Sequence, residues 1–85
     1  MGLADRLSNL VKRSVLLSGH ATSVALEPEF WAVLDQIGEE LSASRAELLI
    51  RIDAWRGRRP LASACRVLAL QWAAGDRSFV EEQTE

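Results

Sequence analysis

One short segment, residues 22–26, limits what this chain can fold into more than any other. Along it, Thr22, Val24 and Leu26 alternate with Ala21, Ser23 and Ala25. A period of two residues is typical of a half-buried β-strand. We interpret it as the only strong strand in the chain. A lone strand cannot satisfy its own backbone N–H and C=O groups, so it must pair with another strand.

The residues before this strand do not decide which strand pairs with it. Ser18-Gly19 is a turn or bulge signal. Before that signal, Val15 and Leu17 either extend the strand or pair with it as a hairpin. A second copy of the chain is the other source of a partner strand.

Size and composition favour the second copy. A chain of 85 residues buries only roughly 60–65% of the surface that its unfolded form exposes. Its apolar content of 48% nevertheless requires a core. The single cysteine, Cys65, excludes an intramolecular disulfide, and no Cys/His group has metal-ligand spacing. We therefore expect a homodimer with no metal and no cofactor.

Three amphipathic helices follow the strand, each with recognisable end signals. They are predicted from Pro28 to the break at 42–44, from Ser44 to Gly57, and from Pro60 to Ala74. Proline at the first helical position costs no hydrogen bond. Ser44 and Glu47 form a capping box, which is a specific helix start. The fold class is therefore mainly α with one short β-strand, and the expected dimer core includes Val24, Leu26, Trp31, Leu34 and Ile52.

The two ends of the chain are predicted to lie outside this domain. Leucines at helical spacing in residues 1–11 indicate a short N-terminal helix or arm. The domain with its third helix covers residues 12–75. Residues 76–85 are polar and acidic, which predicts a disordered tail.

Several classes of function are disfavoured. No serine has a His/Asp arrangement that would make it a nucleophile, so we expect no enzyme and no small-molecule substrate. No apolar run approaches the ~18 residues of a membrane span. A single reduced cysteine and the lack of a secretory pattern predict a cytoplasmic protein.

The order strand, helix, helix, with Glu-Pro at the first helix, resembles the Arc/MetJ-type ribbon-helix-helix superfamily. More closely, it resembles the small bacterial family of ribbon-helix-helix domain proteins. The likeness covers about residues 12–74, and the run from Gly19 to Trp31 is its specific part. The matching positions are Lys12-Arg13-Ser14-Val15, Gly19-His20, Thr22-Ser23-Val24, Leu26-Glu27, Phe30-Trp31, Leu34, Ile52-Asp53, Leu61-Ala62-Ser63-Ala64 and Arg66.

The resemblance implies a ribbon-helix-helix dimer with an additional C-terminal helix. In DNA-binding members the shared ribbon enters the major groove and the second helix presents its N-terminus to phosphate. By position, Thr22, Val24 and Leu26 then face the core. The implied DNA-contacting residues are Lys12, Arg13, Ala21, Ser23, Ala25, Ser44 and Arg45. Alanine and serine discriminate poorly between bases, because strong readout uses Arg, Lys, Asn or Gln.

Two functions therefore stay open. The favoured hypothesis is a dimeric DNA-binding protein, a transcriptional regulator or an antitoxin-like repressor. The alternative is an accessory protein that keeps the dimer but binds another protein or a larger complex. A pI near 5.4 and the weak ribbon favour the alternative, and the arginine cluster Arg56, Arg58 and Arg59 is its predicted partner-binding site.

Overall fold

The computed structural model describes residues 9–84 and shows two strands followed by four helices. They are β1 (Val11–Leu17), β2 (His20–Leu26), α1 (Pro28–Leu41), α2 (Arg45–Trp55), α3 (Leu61–Ala73) and α4 (Ser78–Gln83). Of the predicted N-terminal helix or arm, residues 1–8 lie outside the described residues. Its last residue, Val11, begins β1.

The prediction of a single strand is wrong, because β1 and β2 form a hairpin within one chain. They are antiparallel, with Val11 opposite Leu26 and Leu17 opposite His20. Ser18 and Gly19 turn the chain with φ of +52° and +82°. Positive φ at both central residues matches a type I′ turn, whose twist suits the two strands. The partner that β2 requires is therefore supplied by the chain itself.

The helices begin and end close to the residues that the local sequence signals predict. The Ser44 hydroxyl accepts a hydrogen bond from the Glu47 N–H at 3.1 Å, and the Glu47 carboxylate accepts one from the Ser44 N–H at 2.8 Å. This is the predicted capping box. Gly57, with φ of +62°, follows the end of α2, and α3 begins directly after Pro60.

The core is complete within one chain. All five residues assigned to a dimer core are at most 3% exposed, namely Val24, Leu26, Trp31, Leu34 and Ile52. They pack with α3 through side chains such as Leu68 and with Val15 of β1. These residues therefore do not need a second copy to become buried, contrary to the prediction, because β1, α3 and α4 cover them.

Two hydrogen-bonded links hold the hairpin on the helices. The Trp31 indole Nε1 donates to the Val11 carbonyl oxygen at 2.8 Å, which joins α1 to the start of β1. The Arg66 guanidinium of α3 donates to Glu27 Oε1 at 2.7 and 3.0 Å, where β2 meets α1. The Arg66 hydrogen bond holds the pKa of Glu27 below its usual value.

The tail predicted to be disordered contains a docked helix. In α4, Phe79 and Val80 are buried, and the Phe79 ring meets the Trp55 ring edge to face with centroids 5.4 Å apart. Beside them, the Arg77 guanidinium lies 3.6 Å from the centroid of the Trp72 ring. Two buried apolar residues inside an acidic segment are enough to dock this six-residue helix against the rest of the domain.

The helices are short relative to a lipid bilayer. Across residues 9–84, none is long and apolar enough to cross a membrane.

Candidate nucleic-acid interface

The outer face of the hairpin is small, exposed and free of carboxylates. Alternation along the strands places three cross-strand pairs on this face, Lys12 with Ala25, Ser14 with Ser23, and Leu16 with Ala21. Five of the six side chains are exposed, and Ala25 is half-buried. We refer to these six residues as the outer face. It includes the predicted Ala21, Ser23 and Ala25 and places them away from the helices.

Lys12 and Arg13 lie on opposite faces of β1. Arg13 sits opposite Val24 on the inner face, with its guanidinium carbon 5.3 Å from the centroid of the Trp31 ring. Its Nε is buried and has no hydrogen-bond partner. The inner face thus carries a cation where the alternation predicts an apolar residue, and an aromatic ring partly offsets the cost of burying it.

A groove brings the predicted cations together. It has a volume of about 400 Å³ and runs between β1 and the first turn of α2. Its lining residues are Lys12, Arg13, Ser14, Arg45, Ala46 and Leu49. Three of these are cations that the sequence assigned to DNA contact, although they come from separate elements. We refer to this feature as the cationic groove.

Arg45 is already engaged by a carboxylate. Its Nε donates to Asp35 Oδ1 at 3.1 Å, and its terminal nitrogen donates to both Asp35 oxygens at 3.0 and 2.9 Å. The Arg45 guanidinium also lies 5.7 Å from the Trp31 ring centroid. Both members of the ion pair are more than a third exposed, so solvent screens the attraction. Asp35 therefore partly neutralises the groove without closing it.

The start of α2 has limited capacity for an anion. The capping box satisfies the N–H groups of Ser44 and Glu47, whereas those of Arg45 and Ala46 have no acceptor within the helix. The Ser44 backbone N–H, followed by its hydroxyl, holds the pKa of Glu47 below its usual value. Glu47 is therefore ionised at neutral pH, and its negative charge in this first turn competes with a phosphate for the helix dipole.

The arginine cluster after α2 separates into two kinds of residue. Arg56 donates through Nε to Asp53 Oδ1 at 2.7 Å and through a terminal nitrogen to the Arg59 carbonyl oxygen at 2.6 Å. It therefore braces the turn between α2 and α3. The side chains of Arg58 and Arg59 are exposed on that turn.

Sequence reasoning missed Ser14, Leu16 and Asp35. Val11, Val15 and Leu17 have the spacing of a second strand, but Arg13 interrupts the apolar alternation. The spacing of these three residues was the signal that, read as a strand, would have placed Ser14 and Leu16 on the outer face. Asp35 lies ten residues from Arg45, and no local sequence pattern predicts that these two residues form an ion pair.

The site offers a surface for an anion and no metal centre. Among residues 9–84, no three His, Cys, Asp or Glu side chains are grouped closely enough to hold a metal ion. Buried Cys65 is equally unsuited to metal binding or nucleophilic chemistry, because burial raises the pKa of its thiol to about 11.

Comparison with known families supports the expected fold. A family model described as a ribbon-helix-helix domain matches residues 10–73, which is most of the chain. The resemblance noted from the sequence is confirmed by this match. No curated protein and no solved structure gives a significant match.

Proposed function

The chain belongs to the ribbon-helix-helix domain family, and we propose that it is a homodimeric DNA-binding protein. A transcriptional regulator or an antitoxin-like repressor is the class of protein that this activity fits. The observation that carries the proposal is the cationic groove, which opens beside an outer face without a carboxylate. A β-ribbon with an exposed outer face and cations at its side suits the major groove and its phosphates.

Phosphate contacts supply most of the affinity in this proposal. Lys12, Arg13 and Arg45 line one groove, and a dimer presents two such grooves. The free N–H groups in the first turn of α2 add dipolar attraction for a phosphate oxygen. Neutralising phosphates releases counterions, so binding weakens steeply as salt is added.

Base discrimination is modest. Ser23 is the only outward residue of β2 between Ala21 and Ala25 with a hydrogen-bonding side chain, and a hydroxyl pairs with several bases. The two alanines contact only a thymine methyl group. Preference for one sequence therefore depends on a few weak contacts and on DNA shape.

Fluorescence anisotropy with labelled duplexes tests the proposal. At low salt, we expect binding to many duplexes with a small preference among them, and a large loss of affinity when salt is raised. Failure to bind any duplex at low salt would remove the proposed function.

A second candidate function rests on the exposed side chains of Arg58 and Arg59. These two cations lie on the turn between α2 and α3, on elements other than the hairpin, and they suit an acidic protein partner. A pull-down from native lysate with nuclease, comparing the wild type with an Arg58→Ala/Arg59→Ala variant, tests this candidate. Loss of one defined protein in the variant, with DNA binding intact, would favour the accessory role.

A further inference from the structure

The outer face of the hairpin changes from polar to apolar along its length. Its three cross-strand pairs run from the open end to the turn in the order Lys12 with Ala25, Ser14 with Ser23, and Leu16 with Ala21. Leu16 is 67% exposed, and it is the only large apolar side chain among the six. We refer to Leu16 and Ala21 as the apolar end of the outer face.

The two side chains of the apolar end lie side by side. Leu17 and His20 flank the two-residue turn, so they form a hydrogen-bonded pair. Hydrogen-bonded and non-hydrogen-bonded pairs alternate in an antiparallel ladder. Leu16 and Ala21 are therefore a non-hydrogen-bonded pair, in which Cα atoms are about 4.5 Å apart and side chains approach most closely. Together they form one continuous apolar surface.

The core does not use the Leu16 side chain. Val15 belongs to the core and Leu17 packs against it, whereas Leu16 alternates with them and points away from the helices. A single exposed leucine is ordinary on a protein surface, and Leu70 of α3 is 68% exposed. Leu16 differs from Leu70 in its position, because Ser14 on the same face lines the cationic groove. A duplex that binds this groove as proposed also covers Leu16.

An isobutyl side chain favours one chemical group in the major groove. The base edges present hydrogen-bond donors and acceptors there, together with the C5 methyl group of thymine. Covering a donor or acceptor with an apolar side chain removes its water without replacing the hydrogen bond, which weakens binding. Covering the methyl group removes apolar surface from water on both sides. Leu16 therefore favours thymine over the other three bases.

The size of the Leu16 side chain decides which outer residue discriminates most. Burial of one methyl group corresponds to about a fourfold change in affinity. A serine hydroxyl such as that of Ser23 pairs with several bases, so it separates them less. Ala21 offers a single methyl group to the bases, whereas Leu16 offers a whole isobutyl group. The main preference among sequences therefore comes from Leu16.

We propose that Leu16, with Ala21 beside it, is the specificity-determining residue of the DNA-binding surface and reads the C5 methyl group of thymine. This inference rests on the proposed DNA-binding function and names the sequence feature that this function selects. Preferred duplexes carry a thymine at the position that Leu16 covers. The selectivity depends on a methyl group and not on a hydrogen bond to the base.

Replacement of thymidine by deoxyuridine tests the proposal one methyl group at a time. The probe is a duplex that the wild type selects from a random pool at low salt. Deoxyuridine then replaces each thymidine in turn, which removes the C5 methyl group and keeps every hydrogen-bonding group. By anisotropy, we expect about a fourfold loss of affinity at one thymine of each half-site and little change elsewhere. Equal affinity for all these duplexes, or a selected pool without a fixed thymine, would overturn the proposal.

Three variants assign the methyl effect to Leu16. Leu16→Ala should bind the thymidine and deoxyuridine duplexes nearly equally, whereas Leu16→Met keeps an apolar contact and should retain the difference. Leu70→Ala is the matched control, because it removes a similarly exposed leucine from α3, and it should behave as the wild type. All three positions changed are exposed, so the variants should fold normally. A full fourfold difference in Leu16→Ala would overturn the role of Leu16, whereas failure of the wild type to bind any duplex would remove the proposed function itself.

Discussion

At the scale of single residues, the balance between Arg45 and Asp35 controls how much positive charge the cationic groove offers. The pair is bidentate, with all three hydrogen bonds between 2.9 and 3.1 Å. It is also partly exposed, and exposed pairs contribute only about 0–1 kcal/mol to stability. Substitutions in this pair should therefore affect anion binding more than folding.

We expect Arg45→Ala and Asp35→Asn to change DNA affinity in opposite directions. Arg45→Ala removes a phosphate contact, so it should weaken all duplexes about equally and flatten the salt slope. Asp35→Asn keeps the shape of the side chain but releases the guanidinium, so it should strengthen binding and steepen the slope. Anisotropy at two salt concentrations measures both. Unchanged affinity in Asp35→Asn would show that Arg45 does not bind phosphate.

A second prediction at this scale concerns pH. Burial raises the pKa of the Cys65 thiol from 9.0 to about 11. The folded protein therefore favours the neutral thiol, whereas the unfolded chain ionises from about pH 9. The resulting stability is fully present below pH 9 and is lost as the pH rises to about 11, by up to about 3 kcal/mol.

Urea unfolding between pH 8 and 11 measures this loss. Cys65→Ala provides the control, because it should be less stable at pH 8 but show a shallower decline with pH. An identical decline in both proteins would assign the effect to other groups.

At the scale of elements, α4 closes the core although it is only six residues long. Helices this short are unstable alone in water, so packing must supply their stability. Phe79 is 3% exposed and contacts Trp55, whereas Glu82 on the same helix is exposed. The contrast between these two side chains identifies the interaction that docks the helix.

Truncating Phe79 should therefore destabilise the whole domain. Phe→Ala in a core costs about 3–5 kcal/mol, and undocking of α4 would place this variant at the low end. Glu82→Ala should stay within about 0.5 kcal/mol of the wild type. Urea denaturation of both variants measures the difference. A wild-type midpoint for Phe79→Ala would mean that α4 is not docked in solution.

The strand register of β2 belongs to the same scale. Val24 is 2% exposed on the inner face, so Val24→Asp places an unpaired charge in the core at a cost of several kcal/mol. We expect this variant to be unfolded or monomeric by circular dichroism and sedimentation. A stable dimer would place Val24 on the outside and shift the register by one residue.

At the scale of the whole molecule, one chain buries its own core and yet provides only half of the DNA-binding surface that we propose. A single hairpin presents one cationic groove, whereas the DNA-binding function that we propose uses two grooves related by a two-fold axis.

Analytical ultracentrifugation should give about twice the 9.4 kDa chain mass at micromolar concentration. We expect the dimer because two cationic grooves are needed for two DNA half-sites, and not because a second copy is needed to bury the core. A folded monomer under these conditions would contradict the homodimer.

The sequence by itself determined the features that depend on neighbours within a few positions. Ser44 and Glu47 specify the start of α2 because their capping bonds span three residues. Gly57 and Pro60 set the adjoining ends through their own backbone preferences. The alternation in β2 assigned its inner and outer residues correctly, and the specific run from Gly19 to Trp31 indicated the family.

Only the tertiary structure decided which distant segments meet. The sequence left open whether residues around Val15 and Leu17 extend β2 or pair with it as a hairpin, because Arg13 stands where an apolar residue is expected. Arg13 is tolerated there by the Trp31 ring, eighteen positions away. α4 was not predicted because its two buried residues, Phe79 and Val80, are outnumbered by polar and acidic residues in the same segment. The pairing of Asp35 with Arg45 and the assembly of the cationic groove likewise require α1, α2 and β1 to be packed. Such contacts link residues far apart along the chain, so their energies leave no local pattern in the sequence.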